Sequence, residues 1–155
     1  DGTYKIEGAR NKKVGNEAAA KELKEAITMK ETVALEIVRN EAQTLVDAFV
    51  SDGQAKVDIG DLLSIQKNTD KKFTAARLTH ILNEQNYAAK NKSGYGLAHD
   101  SALKTESPIL GGSYRTNRTT KGVVPGGNIF YDYQDSKGNV IKSYELNFDS
   151  NLTPQ

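Results

Sequence analysis

The 155-residue chain lacks cysteine and tryptophan and contains only two histidines. Without cysteine, disulfide bonds and thiolate metal sites are excluded, so the sequence carries no mark of the redox state of its compartment. No apolar run approaches the roughly 20 residues that span a bilayer, and we expect no membrane insertion. A cytoplasmic location is therefore the default expectation.

The first residues, 1–13, have neither the apolar core of a secretion signal nor an initiator methionine. We therefore interpret the chain as a processed or excised fragment. Its length fits one domain, or one domain with a helical extension. Apolar residues at 37% and charged residues at 26% are ordinary for a globular protein, although the mean hydropathy of -0.61 is on the polar side.

The formal net charge of +1 is unevenly distributed along the chain. Residues 1–64 and the tail from residue 123 each carry more acidic than basic side chains. Residues 65–122 carry the opposite excess, with ten basic and four acidic side chains. A positive middle between acidic ends is a modest electrostatic footprint for a polyanion, and it is weaker than the strongly basic domain usual in nucleic-acid binders. A mixed, solvated surface without any partner explains the same distribution.

Helical periodicity dominates the first third of the chain. Asn16 is a suitable N-cap for a helix over residues 17–27, whose apolar residues recur at helical spacing. Residues 28–31 have the spacing of a capping box and predict a second helix to about Val50, closed by turn residues at 51–53. Its apolar stripe consists of Ala34, Val38, Ala42, Leu45 and Phe49. Because this stripe is not a clean heptad, packing within the domain is favoured over a coiled coil between two copies.

Two further amphipathic segments follow in the middle of the chain. Residues 55–57 predict a brief strand, and Asp58 is suited to cap a helix that ends near Gln66. After a polar break at 67–72, the sequence predicts a stronger helix over 73–86. Two consecutive helices with a polar turn are typical of a helix-turn-helix, although many all-helical domains share this pattern and bind no nucleic acid.

The second of these helices has two chemically different sides. The side opposite Leu78, Ile81 and Leu82 carries Thr74, Arg77, His80 and Glu84. In a helix-turn-helix this polar side enters the major groove, so we expect Arg77 to read a base with Thr74 and His80 beside it. An ordinary surface histidine is the alternative for His80. The expected phosphate contacts are Lys71, Lys72, Lys90, Lys92, Arg115, Arg118 and Lys121.

The last third of the chain changes from helical periodicity to strands and turns. Residues 96–127 form a long, basic, glycine-punctuated segment, which we interpret either as a wing between strands or as a mobile surface loop without a partner. Residues 128–133 and 139–148 then alternate in polarity on either side of turn residues at 135–138. This alternation predicts an antiparallel hairpin.

The order of these segments resembles the winged-helix domains of bacteriophage antirepressor and related regulatory proteins. The resemblance rests on IGDLL, on FTAARLTHILNEQNY with its ILNEQNY ending, on AAKNKSGYGLAHDSALK with its Gly94-Tyr95 pair, and on the basic loop and closing strand. It covers roughly residues 57–133 and departs from the family in the lengthened turn at 67–72 and in an insertion before Asn128. It implies DNA binding, or a regulatory contact with another DNA-binding protein, and no enzymatic activity.

Side chains suited to metal or acid-base chemistry are few and scattered. His80 and His99, together with Asp100, Asp132 and Glu145, offer the donor atoms of such a site. None of them has the local spacing of a ligand motif such as HExxH. The sequence therefore predicts no enzyme, no cofactor and no metal site.

The combined expectation is an α+β protein with N-terminal helices over 1–53 and a winged-helix-like domain over 54–155 that closes in the β-hairpin. Its expected function is non-enzymatic DNA binding in transcription regulation, with a recognition helix at about 73–86 and a basic wing. The alternative is a protein-interaction or structural module of a phage or bacterial assembly. Its contact surface is then the hairpin aromatics Phe130, Tyr131, Tyr133 and Tyr144. Self-association through the N-terminal helices stays open in either case.

Overall fold

The computed structural model of the protein describes residues 17–41 and 44–154. Within those ranges four α-helices and six strands form a mixed architecture, which confirms the predicted α+β class. The elements are α1 (Glu17–Thr28), β1 (Ala34–Val38), β2 (Asp47–Ser51), β3 (Gln54–Asp58), α2 (Ile59–Asn68), α3 (Lys71–Asn91), α4 (Gly94–Glu106), β4 (Tyr114–Gly122), β5 (Asn128–Gln134) and β6 (Val140–Asn147). Asn16, the predicted cap of α1, and Ala42 of the predicted second stripe lie outside the described residues.

The strands form two three-stranded sheets. In the first sheet β3 is central, parallel to β1 and antiparallel to β2. β2 and β3 are joined by a tight turn in which Gly53 has a φ of 75°, a conformation that glycine adopts without strain. In the second sheet β4, β5 and β6 form an antiparallel meander. The β5–β6 pair confirms the predicted hairpin.

The predicted second helix between residues 31 and 50 is wrong, because β1 and β2 occupy this segment. The branched residues of β1 favour a strand. Between the two strands Asn40 and Val46 have left-handed φ angles of 53° and 64°, which a right-handed helix cannot accommodate. Asp58 further fixes this connection by accepting the backbone N–H groups of Asn40 and Glu41 at 2.9 and 2.6 Å. Contacts distant in sequence therefore outweigh the helical spacing of the apolar residues.

The two predicted middle helices are confirmed as α2 and α3. The side chain of Asp58 caps α2 as expected, and α3 extends beyond its predicted bounds at both ends. The polar break shrinks to Thr69 and Asp70, because Asp70 caps α3 by accepting the Phe73 N–H at 2.7 Å. Asp70 also accepts a hydrogen bond from the Tyr144 hydroxyl at 2.6 Å, which fastens the start of α3 to β6.

An aromatic cluster joins α3 to the second sheet. Phe73 stacks on Tyr144 with ring centroids 4.1 Å apart and meets Tyr131 and Tyr133 edge-on. All four rings are buried, and Phe130 is half-buried. Tyr131, Tyr133 and Tyr144 therefore belong to the core, and the predicted contact surface built on these three rings and Phe130 is wrong.

The segment predicted as a wing or surface loop is largely regular. It contains α4, a short 3₁₀ helix at Ser107–Leu110, and β4. Lys92, with a left-handed φ of 48°, reverses the chain between α3 and α4, and these two helices pack against each other. The β4–β5 hairpin is the part of this segment that keeps the shape expected of a wing. No helix among the described residues is both long and apolar enough to cross a membrane.

An apolar groove with a volume of about 790 Å³ lies between α1, β1, α2 and α3. Leu62 and Ile81 form part of its buried floor, whereas Leu23 and Ile27 of α1 are exposed on its wall. The predicted apolar stripe of α1 is therefore only partly covered. Glu22 is the buried residue of α1, and self-association through this region stays a prediction.

Candidate metal centre

Two helices bring three metal-binding side chains together. His80 and Glu84 lie one turn apart on α3, and His99 comes from α4. The Glu84 Oε1 atom is 2.8 Å from Nδ1 of His99 and 3.6 Å from Nε2 of His80. All three donor atoms lie within 4.8 Å of one another. Two imidazoles and one carboxylate therefore point at a common small volume.

This donor set suits a divalent transition-metal ion. Zinc binds imidazole nitrogen and carboxylate oxygen at about 2.0–2.2 Å, so tetrahedral ligand atoms lie roughly 3.4 Å apart. The two carboxylate–imidazole separations, 2.8 and 3.6 Å, lie on either side of this value. Imidazole ligands also suit copper, iron and nickel, whereas magnesium and calcium prefer oxygen ligands alone.

The other side of the His80 ring faces a second carboxylate. Its Nδ1 atom lies 3.4 Å from Oε2 of Glu106, which belongs to the last turn of α4. Metal-binding histidines commonly direct their second nitrogen at a carboxylate, which fixes the tautomer and the ring orientation. His80 therefore has a carboxylate near each ring nitrogen and a side chain that is only 1% exposed, although its Nδ1 atom makes no hydrogen bond within the described residues.

Two arginines hold Glu106 in place. The Arg77 Nη1 atom donates to Oε2 of Glu106 at 3.0 Å, and the Arg115 Nε atom donates to Oε1. Both guanidinium groups lie over the ring of Tyr131, at 5.1 and 4.7 Å from its centroid. Arg77 also donates to Asp47 of β2 at 3.3 Å. The contacts around Glu106 thus involve residues of α3, α4 and β2, together with β4 and β5 of the second sheet.

The carboxylates of this cluster stay ionised. Burial opposes ionisation of Glu84, but hydrogen bonds from His80 and His99 outweigh it and lower the pKa of Glu84 to about 2. Burial opposes ionisation of Glu106 too, and its two arginine partners outweigh it and lower that pKa to about 2. Two carboxylates, Glu106 and Asp47, pair with the two guanidinium groups, whereas Glu84 contacts the two histidines. A cation at the donor atoms would offset the negative charge of Glu84.

Solvent reaches the cluster from the side of His99. The His99 side chain is 27% exposed, whereas those of His80 and Glu84 are 1% and 2% exposed. Tyr95 stacks on His99 with ring centroids 4.9 Å apart, and Phe49 of β2 meets Tyr95 edge-on at 5.4 Å. Two aromatic rings therefore flank the open side. No family model, curated protein or solved structure matches the chain, so any functional assignment rests on this geometry.

The predicted base-reading face of α3 is not on the surface. Thr74, Arg77 and His80 are 8%, 4% and 1% exposed. They face α4 and the second sheet, because α3 packs between other elements along much of its length and also buries its polar side. Arg115, predicted to contact phosphate, is 1% exposed and bonded to Glu106. The prediction that these four side chains face a nucleic acid is wrong.

The other six predicted nucleic-acid contacts are exposed side chains, namely Lys71, Lys72, Lys90, Lys92, Arg118 and Lys121. The two lysine pairs lie at opposite ends of the 21-residue α3, roughly 28 Å apart along its axis. Arg118 pairs with Asp132 at 2.6 Å and lies over the ring of Phe130. A role of these six residues in nucleic-acid binding stays a prediction.

The sequence identified two of the three candidate ligands but paired them with the wrong acids. Asp100 bonds to Lys104, Asp132 bonds to Arg118, and Glu145 bonds to Asn128. Glu84 lies on the same predicted helix face as His80 and is the acid that completes the cluster. The available signal was a histidine and a glutamate at positions i and i+4 of one helix, with a second histidine in the next helix.

Proposed function

We propose that the protein binds one divalent transition-metal ion through His80, Glu84 and His99 and uses this ion to catalyse a hydrolysis. The observation that carries the proposal is the double contact of His80, with Glu84 on its Nε2 side and Glu106 on its Nδ1 side. The sequence predicts a non-enzymatic protein without a metal, whereas this geometry favours a metal-binding enzyme.

The number of ligands favours a catalytic ion over a structural one. Structural zinc sites use four protein ligands, whereas catalytic sites use three and leave a position for water or substrate. Three donors converge here, and the partly exposed His99 lies on the side that faces solvent. An ion held by His80, Glu84 and His99 would supply Lewis-acid chemistry, namely polarisation of a carbonyl or phosphoryl oxygen and activation of water.

Tyr95 supplies a suitable hydrogen-bond donor at the open side. Burial, together with the negative charges of Glu84 and Asp47, raises the pKa of the Tyr95 hydroxyl. This hydroxyl therefore stays protonated at neutral pH. Tyr95 is 52% exposed, and a neutral donor near a bound ion would stabilise the negative charge that develops on oxygen during hydrolysis. The stacking of Tyr95 on His99 restricts where that donor can lie.

Metal titration of the full chain tests this proposal. We expect one Zn²⁺ or Co²⁺ ion per chain by isothermal titration calorimetry, and at least about a 100-fold loss of affinity in Glu84→Gln and His99→Ala. Asp100→Asn is the matched control, since it removes an acid next to His99 that already pairs with Lys104, and it should bind as tightly as the wild type. Equal metal affinity in all four proteins would sink the proposal.

Hydrolytic activity is tested on p-nitrophenyl acetate and bis-p-nitrophenyl phosphate, which report the ester and phosphodiester classes. Activity should require added metal and disappear in Glu84→Gln, while Tyr95→Phe should lower the rate constant without changing metal affinity. If the protein binds metal but hydrolyses neither these esters nor peptides, the proposed metal site stands and the proposed hydrolysis is refuted.

A second candidate function is nucleic-acid binding by the exposed cations. The observation that favours it is the β4–β5 hairpin, which presents Arg118 and Lys121 on exposed positions in the shape expected of a wing. Fluorescence anisotropy with a random DNA duplex at low salt tests this function. Affinity should fall with salt and fall further in Lys121→Gln, whereas Lys137→Gln in the β5–β6 turn is the control. No binding at low salt would exclude this candidate.

A further inference from the structure

The apolar groove between α1, β1, α2 and α3 has the size of a small-molecule binding site. Its volume of about 790 Å³ lies within the roughly 300–1,000 Å³ that such sites occupy. Leu62 and Ile81 on its floor are buried, whereas Ile27 and Ile37 on its walls are 52% and 62% exposed. Large aliphatic side chains that stay exposed around one continuous recess mark a binding surface.

The lining of this groove is almost purely aliphatic. Of the thirteen described residues that line it, twelve are alanine, valine, leucine or isoleucine, and the exception is Lys24 of α1. The polar groups of a sugar, a nucleotide or a peptide backbone would find no hydrogen-bond partner on these walls, and burying an unpaired polar group is unfavourable. The groove therefore suits a ligand whose buried part is an alkyl chain.

Lys24 brings a positive charge to the lining that no acidic side chain neutralises. The acids next to it on α1 are engaged by α3, because Glu22 accepts a hydrogen bond from Asn86 at 3.1 Å and Glu25 pairs with Lys90 at 3.3 Å. Within residues 17–41 and 44–154, no ion pair involves Lys24. A lysine among apolar walls lays its stem along them and keeps its ammonium group at the water boundary, where it can pair with an anionic head group.

We infer that the groove binds a free long-chain fatty acid, with the alkyl chain over Leu62 and Ile81 and the carboxylate beside Lys24. The aliphatic walls match the chain, and the unpaired ammonium group matches the charge of the head group. This binding site is separate from the proposed metal centre, since none of the lining residues is one of the candidate ligands.

A second copy of the protein matches the groove less well. An isologous contact brings the same surface of both copies together, so it would carry two copies of Lys24 into one apolar interface. Two ammonium groups without acidic partners oppose such a contact. A fatty acid instead supplies the opposite charge.

Displacement of cis-parinaric acid from the full chain by palmitate measures the binding. We expect one saturable site per chain, and at least tenfold weaker displacement by hexadecyltrimethylammonium, which has an alkyl chain of the same length and the opposite charge. Equal displacement by the two amphiphiles would refute recognition of the head group by Lys24. No saturable binding of palmitate below its critical micelle concentration would overturn the inference as a whole.

Two lysine variants separate a specific contact from general attraction to a positive surface. Lys24→Gln should lower the affinity for palmitate at least tenfold and change the affinity for 1-hexadecanol less than threefold, because the alcohol carries no charge. Lys21→Gln is the matched control, since Lys21 is an exposed lysine of the same helix that does not line the groove. Equal losses of palmitate affinity in both variants would contradict a carboxylate beside Lys24.

A series of saturated fatty acids from 8 to 18 carbons tests the position of the alkyl chain. Each further methylene group that enters the groove should tighten binding about fourfold, up to the length that fills it. Ala20→Trp adds a ring at an exposed lining position and should shorten this length by at least two carbons, whereas Lys21→Trp should leave it unchanged. The same affinities in Ala20→Trp and Lys21→Trp across the series would show that the chain binds elsewhere.

Two other occupants of the groove give different results. A dimer in sedimentation velocity that Ile27→Gln dissociates, without binding of palmitate, would assign the groove to a second copy. Binding of palmitate that appears only after Tyr4→Ser and Ile6→Ser are combined would assign it to residues 1–16 of the same chain. Either result would overturn the inference. We expect the palmitate-loaded wild type to sediment as a monomer, with an affinity for palmitate that Tyr4→Ser and Ile6→Ser leave unchanged.

Discussion

The His80 ring lies between two carboxylates, with Nε2 at 3.6 Å from Glu84 and Nδ1 at 3.4 Å from Glu106. Glu84 also contacts His99, and Glu106 is bonded to two buried arginines. The contacts thus run from the partly exposed His99 through Glu84 and His80 to the buried Glu106. Substitutions at these positions test each contact separately.

Glu106→Gln tests the orienting role of the interior carboxylate. We expect metal affinity to fall 10- to 100-fold, the usual effect of losing a partner of a ligating histidine. The visible spectrum of the Co²⁺ protein should change as well, because the ring of His80 is no longer fixed. Tyr133→Phe is the control, since it alters a buried hydroxyl beside the same cluster without touching His80. An unchanged Co²⁺ spectrum in Glu106→Gln would show that Glu106 is only structural.

Arg77→Met tests whether Arg77 is an interior residue. The pair of Arg77 and Glu106 has side-chain exposures of 5% and 0%, and breaking a buried pair by removing one partner costs about 3–5 kcal/mol. The control is Lys104→Met, because Lys104 and Asp100 form an exposed pair, and such surface pairs contribute little to stability. Urea denaturation at pH 7 measures both. Equal losses would contradict the burial of Arg77 and restore its role as a surface reader.

The middle helices illustrate how far sequence patterns reach. α2, α3 and the β5–β6 hairpin are predicted correctly because local signals agree, namely an aspartate cap, apolar spacing and turn residues. The exposure of the polar side of α3 is predicted incorrectly, because the apolar stripe identifies only one of the two buried sides of this helix. A helix packed between several elements buries its polar side too, and the partners Glu106 and Arg115 lie 29 and 38 residues beyond Arg77 in the sequence.

The segment between residues 31 and 50 shows a different limit. Its apolar residues fit helical spacing, yet Asp58 captures the N–H groups of Asn40 and Glu41 and Asp61 captures that of Val46 at 2.9 Å. These bonds link residues 15 to 18 positions apart, so no local pattern encodes them. The candidate ligands are separated in the same way, because His99 reaches Glu84 only through the packing of α4 on α3.

Asp61→Asn tests the pH dependence of stability. Burial, followed by the nearby charges of Asp58 and Asp149, raises the pKa of Asp61 to about 6, although the bond from Val46 acts against them. The folded protein therefore binds this proton more tightly than the unfolded chain. The ionised Asp61 therefore lowers the free energy of unfolding. This effect is complete above about pH 6 and disappears below about pH 4.

Since asparagine carries no charge and can still accept the Val46 N–H, Asp61→Asn should raise the free energy of unfolding by up to about 3 kcal/mol at pH 8. At pH 4 the difference between the two proteins should be close to zero. Urea denaturation at both pH values gives the comparison. Glu84 and Glu106, with pKa values of about 2, act at lower pH and are the same in both proteins. An equal difference at pH 8 and pH 4 would refute the burial of a charged Asp61.

The most direct test of the account is a Co²⁺ titration of the full chain followed by visible absorption. We predict one Co²⁺ per chain, absorption bands typical of a four- or five-coordinate ion, and loss of these bands in His99→Ala but not in Asp100→Asn. A spectrum of hexaaqua Co²⁺ throughout the titration of the folded wild type would contradict the metal centre, and with it the proposed hydrolysis.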